Sequence, residues 1–343
     1  MKKLLILAIA LGLPLGLHAA ALDKALHTDG ERVLSAFGKI GELAKQSKVT
    51  IMDGTKIRCQ GTLISKDGLV VTKYSELEGA RQPYRLVNKD IGRRFYRARL
   101  VAFDTETDLA ILRSNVRPKV ELEFGSTTGM EIGKWVVAGV DKSPGLHAGI
   151  VSAFPRDIKK EGGVIGIIMD RTRQGRGLGG VAVESVAPGG PAQKAGVKRG
   201  DIIFAINDKE VLTSEKLRDA VMAHNPGDKV KVALKRESKK MEFEITLGYR
   251  NSVFKDPRTR NRNDALSVAV SKRRTGFERV IQHDTTMTTV DIGGPLLNLE
   301  GKLIGINIAR ANRVEFFAIP IEDVQRVLEK HEKAIADSKG KRI

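Results

Sequence analysis

Apolar and polar positions alternate over short runs along most of this chain, and Gly, Asp and Asn break the runs. That texture predicts strands joined by turns. "VTIMDG" (49–54) opens the series. "GTLISKDGLVVT" (61–72) reads as a hairpin turning on Asp67-Gly68, a favoured two-residue pair. "YRARLVAFD", "DLAILR", "WVVAGV" (135–140) and "AGIVSAF" (148–154) follow as further strands. "GGVIGIIMD" (162–170), "KVKVALKR", "KMEFEITLG" and "FERVIQHD" (277–284) continue the pattern. Helical spacing is confined to three places. Val33, Leu34, Phe37, Ile40 and Leu43 share one face within residues 22–48, a second helix is expected over 213–224, and a third follows "FFAIP" near the end.

The same texture divides the chain. Residues 1–21 stand apart, 22–116 hold the leading helix and a first set of strands, and 117–160 begin a second set. Residues 161–249 form a compact unit of strands with its own helix. Residues 250–276 are polar and basic, with Pro257 among Arg250, Lys255, Arg258, Arg260, Arg262, Lys272, Arg273 and Arg274, and read as a linker. Strands resume in 277–343. A chain of 343 residues is long enough for several separate cores.

Composition adds a compartment and a charge. Lys2 and Lys3 precede an apolar stretch from Leu4 to Leu17, and Ala19-Ala20-Ala21 offers a cleavage site, so Met1–Ala21 reads as a secretory signal. The expected location is the periplasm or the extracellular space. The net charge is +18, from 59 basic and 41 acidic residues, and removing Lys2 and Lys3 with the leader lowers it to +16. Such a balance favours acidic partners, such as anionic lipid or envelope polymer. The basic residues are spread along the chain and aromatics are few, which argues against nucleic acid. Cys59 is the single cysteine, so no disulfide forms within the chain, and it reads as a small buried residue. His147 lies in a Gly-rich stretch and is expected in a solvated loop. No spacing of His, Cys, Asp or Glu points to a metal, and no Gly-rich phosphate loop points to a cofactor.

The segment "TTVDIGGPLLNLEGKLIGINIA" (288–309) carries the candidate chemistry. With "GTLISKDGLVVT", "DTETDLAIL" (104–112), "IGKWVVAGV", "AGIVSA" and "FFAIP" in the same order, it resembles the HtrA-type trypsin-like serine proteases. Those are exported double-β-barrel enzymes that carry PDZ domains. The resemblance covers roughly residues 50–330 and implies a mainly β fold, with a PDZ domain inserted in the second barrel. It places the family's aspartate on Asp108, its histidine on Ser75 and its nucleophile on Ile292. The oxyanion positions fall on Val290 and Ile292.

Only the aspartate is kept. A serine hydroxyl needs a base to become a nucleophile, and the aspartate only orients that base. Isoleucine has no attacking atom, and Ser75 is no base near neutral pH. β-Branched Val290 disfavours the strained backbone that an oxyanion loop uses. His283 and Asp284 are adjacent and invite a catalytic reading, but neighbouring strand residues point to opposite faces. Asp108 is expected to be a remnant hydrogen-bonded to Ser75.

Residues 161–249 resemble a PDZ domain of the circularly permuted bacterial kind, most specifically over "VESVAPGGPAQKAGVKRGDIIFAINDKEV". The resemblance makes Val164, Ile165, Gly166 and Ile167 the carboxylate-binding loop. Leu217 and Val221 on the helix either line the pocket for a peptide's last side chain or belong to the core. Nearby Arg171, Arg173 and Arg176 could draw in acidic upstream residues. The expected function is therefore an exported, catalytically inactive HtrA-like protein that binds protein C-termini or unfolded peptides as a scaffold, adaptor or holdase. Two alternatives stand beside it, an active serine endopeptidase and a basic envelope protein bound to acidic polymer.

Overall fold

The computed structural model describes residues 23–27, 30–88, 90, 92–139, 146–170, 172, 177–254 and 269–340. The leader, Arg171, Arg173, Arg176 and the basic residues at 255, 258, 260 and 262 lie outside them.

The leading segment is not one helix. It holds a single 3-10 turn, Lys24–Leu26, then α1 (Glu31–Ala36) and α2 (Gly38–Ser47). The interruption falls at Phe37 beside Gly38, where glycine gives a helix little support.

Eighteen strands follow among the described residues. The first six are β1 (Lys48–Asp53), β2 (Lys56–Leu63), β3 (Leu69–Lys73), β4 (Tyr84–Asn88), β5 (Gly92–Asp104) and β6 (Leu109–Ser114). They close a barrel in the order β1-β2-β3-β6-β5-β4. Val49, Ile51, Leu86, Ala98 and Leu112 fill it; around Ile51, Leu86 and Ala98 the neighbours are half-exposed or exposed, the period-two pattern of the sequence, whereas β3 and β6 are buried throughout. The β2–β3 connection takes five residues, Ile64–Gly68, in place of the expected two-residue turn. Ile64 N–H still bonds Leu69 O, Ser65 Oγ accepts from Leu69 N–H, and Gly68 supplies a φ of +86° that closes the loop.

Next come β7 (Trp135–Gly139) and β8 (Leu146–Ile158). The chain then builds a separate sheet from β9 (Ile167–Met169), β10 (Val181–Val186), β11 (Ile202–Ile206), β12 (Lys209–Glu210), β13 (Lys229–Arg236) and β14 (Lys239–Thr246). The order is β14-β13-β11-β10-β9, with β12 on β11, so β9 is an edge strand. Two helices pack on it, α3 (Pro191–Ala195) and α4 (Ser214–Met222). Thr213 caps α4 by accepting from Lys216 N–H. A short helix, α5 (Arg250–Val253), ends this part of the chain.

The chain then returns with β15 (Phe277–His283), β16 (Pro295–Leu297), β17 (Leu303–Arg310) and β18 (Phe316–Pro320). With β7 and β8 these close a second barrel, in the order β15-β18-β17-β16-β7-β8. The intervening sheet thus leaves and rejoins one barrel. Its stem is narrow. Phe277 pairs with Ile158, and Gly276 N–H donates to Ile158 O at 2.9 Å. A few residues further out, Val164 and Gly248 exchange both backbone hydrogen bonds. Helices α6 (Ile321–Lys330) and α7 (Glu332–Asp337) end the described chain. Val71, Ile111, Ile306, Ile308 and Val324 form a core that joins both barrels to α6. No helix among the described residues is long and apolar enough to cross a membrane.

Candidate functional site

The end of β3 and the bend before β6 bring the expected residues together. Ser75 Oγ donates to Asp108 Oδ2 at 2.8 Å, and Ser75 N–H donates to Oδ1 at 2.8 Å. Asp108 holds a φ of +62°, and its carbonyl accepts Tyr74 N–H at 2.7 Å. Serine and aspartate are both buried. The hydroxyl is therefore a satisfied donor, not an accessible nucleophile.

A third residue completes this cluster, and the sequence did not single it out. Lys73 is the largest fully buried side chain among the described residues. Its Nζ lies 3.6 Å from Asp108 Oδ2 and donates to Ile308 O (2.8 Å) and Arg273 O (2.5 Å). Burial pulls the Lys73 ammonium below its ordinary range, and the charges of Asp108 and Glu76 oppose that shift. A buried cation is tolerated when a counter-charge and acceptors surround it. Here Asp108 serves as that counter-charge.

The nucleophile position lies across the seam between barrels. Ile292 is fully buried, packed with Val136, Val151, Met287, Leu296 and Phe316 in the second-barrel core. Its carbonyl accepts Gln60 N–H at 2.8 Å. Gly293, with φ +95°, lets the two barrels touch, because a Cβ there would sit 1.9 Å from Gln60 O. Thr62 Oγ1 donates to Gly293 O at 2.9 Å. Asp291 pins the preceding loop, its Oδ2 accepting from Thr288 N–H (2.8 Å) and Thr288 Oγ1 (2.6 Å) and its Oδ1 from Gln60 Nε2 (3.0 Å). Val290 does not adopt a positive φ.

Neither histidine near this loop supplies a base. His283 is fully buried, stacked on Phe316, with Nδ1 2.6 Å from Thr285 Oγ1. Burial pushes it down to about 3, and Asn307 offsets this only in part. Asp284 is exposed on the other face and accepts Ile150 N–H. His147 is not in a solvated loop. It sits on β8 and is half-buried, because the strand begins at Leu146, earlier than the Gly-Pro-rich sequence implies. Burial lowers its basicity and the Asp291 charge partly restores it. Cys59 is buried against Thr72 Oγ1 (3.3 Å), and burial pushes the thiol up to about 12, so it carries no thiolate at neutral pH. A cleft of about 360 Å³ opens beside Asp108, with Tyr74, Glu78, Asn225, Tyr249 and Lys272 among its walls. Among the described residues no group of three or more His, Cys, Asp or Glu is placed to hold a metal ion.

The second candidate site lies on the edge strand β9. Ile165 O accepts Ala192 N–H (2.7 Å) and Gly166 O accepts Ala187 N–H (2.8 Å). In a trans peptide the carbonyl and the next N–H point in opposite directions. The amides of Gly166 and Ile167 therefore face away from α3 and β10, towards the open side of β9. Gly166 has φ +84°, and a Cβ there would meet Val253 Cγ1 of α5 at 2.7 Å. Leu217 and Val221 are buried with Ile165 in the core of this sheet, and Ile167 packs on its margin. Val164 lies to one side, paired with Gly248.

Comparison with known proteins bears on the domains that hold these sites. A trypsin-like peptidase domain model matches residues 59–188, and a PDZ domain model matches residues 163–247. The chain carries a trypsin-like peptidase domain and a PDZ domain, the pairing expected from its resemblance to HtrA-type proteins. Among curated relatives, a probable periplasmic serine endoprotease, DegP-like, of Chlamydia trachomatis is 26% identical over 271 residues, 56% of this chain and 54% of that one. The periplasmic pH-dependent serine endoprotease DegQ of Escherichia coli is 44% identical over 68 residues, 20% of this chain and 15% of DegQ. The chain spans about half the length of the curated relatives that lead the comparison. The serine endoprotease from Yersinia pestis is similar in structure with a TM-score of 0.29 and 20% identity, over 62% of this chain and 97% of that one. The trypsin-like match ends before Ile292, so the nucleophile position rests on the Gly-Gly-Pro segment and the strand order of the second barrel.

Proposed function

We propose that this chain is an exported, catalytically silent member of the HtrA group that binds protein C-termini or unfolded peptides. The observation that carries the binding is the pair of amides at Gly166 and Ile167, turned outward beside an edge strand. An extended peptide adds to such an edge by main-chain hydrogen bonds, and outward amides take its terminal carboxylate. The silence is supported by Ile292, which offers no attacking atom, and by Asp108, which is committed to Lys73 and Ser75. Export is supported by the leader-like first 21 residues and by relatives named as periplasmic.

Titration calorimetry tests the binding. A peptide with a free, apolar C-terminus is expected to bind with a Kd on the order of micromolar, because ordering a short peptide offsets much of a small interface. Its amidated twin should bind markedly more weakly, and Ile167→Asp should abolish the difference. Equal binding of acid and amide would overturn the reading.

The names of the relatives favour a second reading, an active serine endopeptidase. Incubation with unfolded casein and a serine-directed fluorophosphonate probe decides between them. The silent reading expects neither labelling nor probe-sensitive cleavage.

A further inference from the structure

The outer wall of the first barrel carries an unusual row. Met52 on β1 is opposite Ile57 on β2 and opposite Arg85 on β4, and Arg85 is opposite Arg97 on β5. Ile51, Tyr84, Leu86 and Ala98 point into the barrel, so the alternate residues Met52, Arg85 and Arg97 point out. Four strands at about 4.8 Å spacing make the row about 15 Å wide. Arg99 and Phe95 flank Arg97 on the same face of β5, two residues to either side. Phe95 is 55% exposed and Ile57 43%. The Arg85 guanidinium lies 3.8 Å from the centre of the Phe95 ring. Arg85, Arg97 and Arg99 have no ion-pair partner among the described residues, whereas nearby Arg58 is neutralised by Asp53 at 2.6 Å.

We propose that this wall docks on the surface of an anionic phospholipid bilayer. Bare apolar tips among unpaired arginines match the boundary between headgroups and acyl chains. The cations meet phosphates while the ring and the isoleucine enter the apolar edge. The net charge of the chain has the same sign as the wall and adds long-range attraction. A second copy of the chain fits poorly, since a two-fold contact would set arginines against arginines. A soluble polyanion would use the arginines and leave Phe95 and Ile57 bare. This proposal is independent of the peptide-binding reading.

Vesicle flotation of the full chain tests it, comparing phosphatidylcholine alone with a mixture containing about one third phosphatidylglycerol, at about 0.1 M salt where surface charge still acts over about 10 Å. Binding is expected to the mixture and not to phosphatidylcholine. Arg85→Gln with Arg97→Gln should weaken it about 25-fold, at about fivefold per arginine. Phe95→Ser should also weaken it, and its effect should persist at about 0.5 M salt, where charge is screened. Lys194→Gln with Lys209→Gln removes the same charge from exposed positions on the PDZ unit and should change binding by less than about twofold. Of these five side chains Phe95, Arg97, Lys194 and Lys209 are exposed and Arg85 lies outside every core, and thermal melts check that each variant is folded. Equal losses in the two double variants, or equal binding to neutral vesicles, would overturn the proposal. So would tight binding of soluble polyphosphate that depends on the arginines and not on Phe95, or self-association in sedimentation that Phe95→Ser removes.

Discussion

Asp108 is held between a buried ammonium, Lys73, and the hydroxyl and amide of Ser75. Asp108 neutralises a buried ammonium that also ties β3 to the carbonyl of Ile308 in the other barrel. Removing one partner of such a pair strands the other charge in the interior. Asp108→Asn is therefore expected to cost about 3 to 5 kcal/mol in urea denaturation. Lys73→Met with Asp108→Asn should cost clearly less than the sum of the two single changes. A second residue-scale expectation concerns Ile292. Its side chain fills the second-barrel core, so Ile292→Ser leaves a cavity and buries a hydroxyl, at about 3 kcal/mol or more. Ile292→Ser with Ser75→His should then lose stability without gaining turnover of unfolded casein. The third concerns pH. His283 is neutral in the fold, pushed from 6.5 down to about 3. Between those values the unfolded chain binds a proton that the folded chain refuses, so acidification through this window destabilises the fold, by up to about 1.4 kcal/mol per pH unit. His283→Gln should flatten the slope of stability against pH by about one proton, as read from melts between pH 4 and 7. The loop before Gly293-Gly294-Pro295 was legible because a Gly-Gly-Pro marks its neighbour by spacing alone, and the structure places Ile292 in the second-barrel core. Lys73 was not, because its carbonyl partners stand 200 and 235 residues away and a lone lysine in a strand looks like surface.

At the scale of elements, period-two alternation located strands such as β4 and β13, which have one face in a core and one outside, whereas β3, β6, β17 and β18 are buried on both faces and were legible as short apolar runs bounded by turn residues. Two misplacements have local causes. Leu146 and His147 follow a Gly-Pro-rich stretch and look like loop, yet pairing with Gly139 and Ala138 draws them into β8. The β2–β3 connection grew to five residues because Ser65 and Gly68 close a wider loop than Asp67-Gly68 would alone. The helix α5 was hidden in sequence that reads as linker. Its Val253 is buried against Gly166 and lies close to Gly190, Gly248 and Pro191. A fragment of residues 160–254 should therefore melt cooperatively and be about 1.5 kcal/mol more stable than residues 160–249. The longer piece should also bind free-acid peptides more tightly, because Val253 backs the loop that presents the amides.

For the whole molecule, the decisive fact is that a separate sheet leaves one barrel and returns beside its own point of departure. Chain order alone hides this, because the second barrel is split between residues 135–158 and 277–320. Insertions are tolerated where their two ends already touch. Replacing residues 164–248 by a Gly-Gly link should thus leave the two barrels folded, with a single cooperative transition in circular dichroism. Loss of that transition would mean that the barrels depend on the inserted sheet for their own stability.

The narrow stem also has a mechanical meaning. A partner held by the PDZ unit and drawn away would load the second barrel at one end of the β8–β15 pair, where Ile158 meets Phe277. Tension applied there opens hydrogen bonds one after another, as a zip does, and does not ask a whole ladder to slide at once. The first pairs to part are those guarded by Arg273, whose guanidinium grips the carbonyls of Thr105, Glu106 and Gly276 and so ties the stem to the first barrel. Arg273 is then a clasp under load, and a pull that frees it reaches Lys73 next, through the carbonyl that Arg273 lends to the buried ammonium.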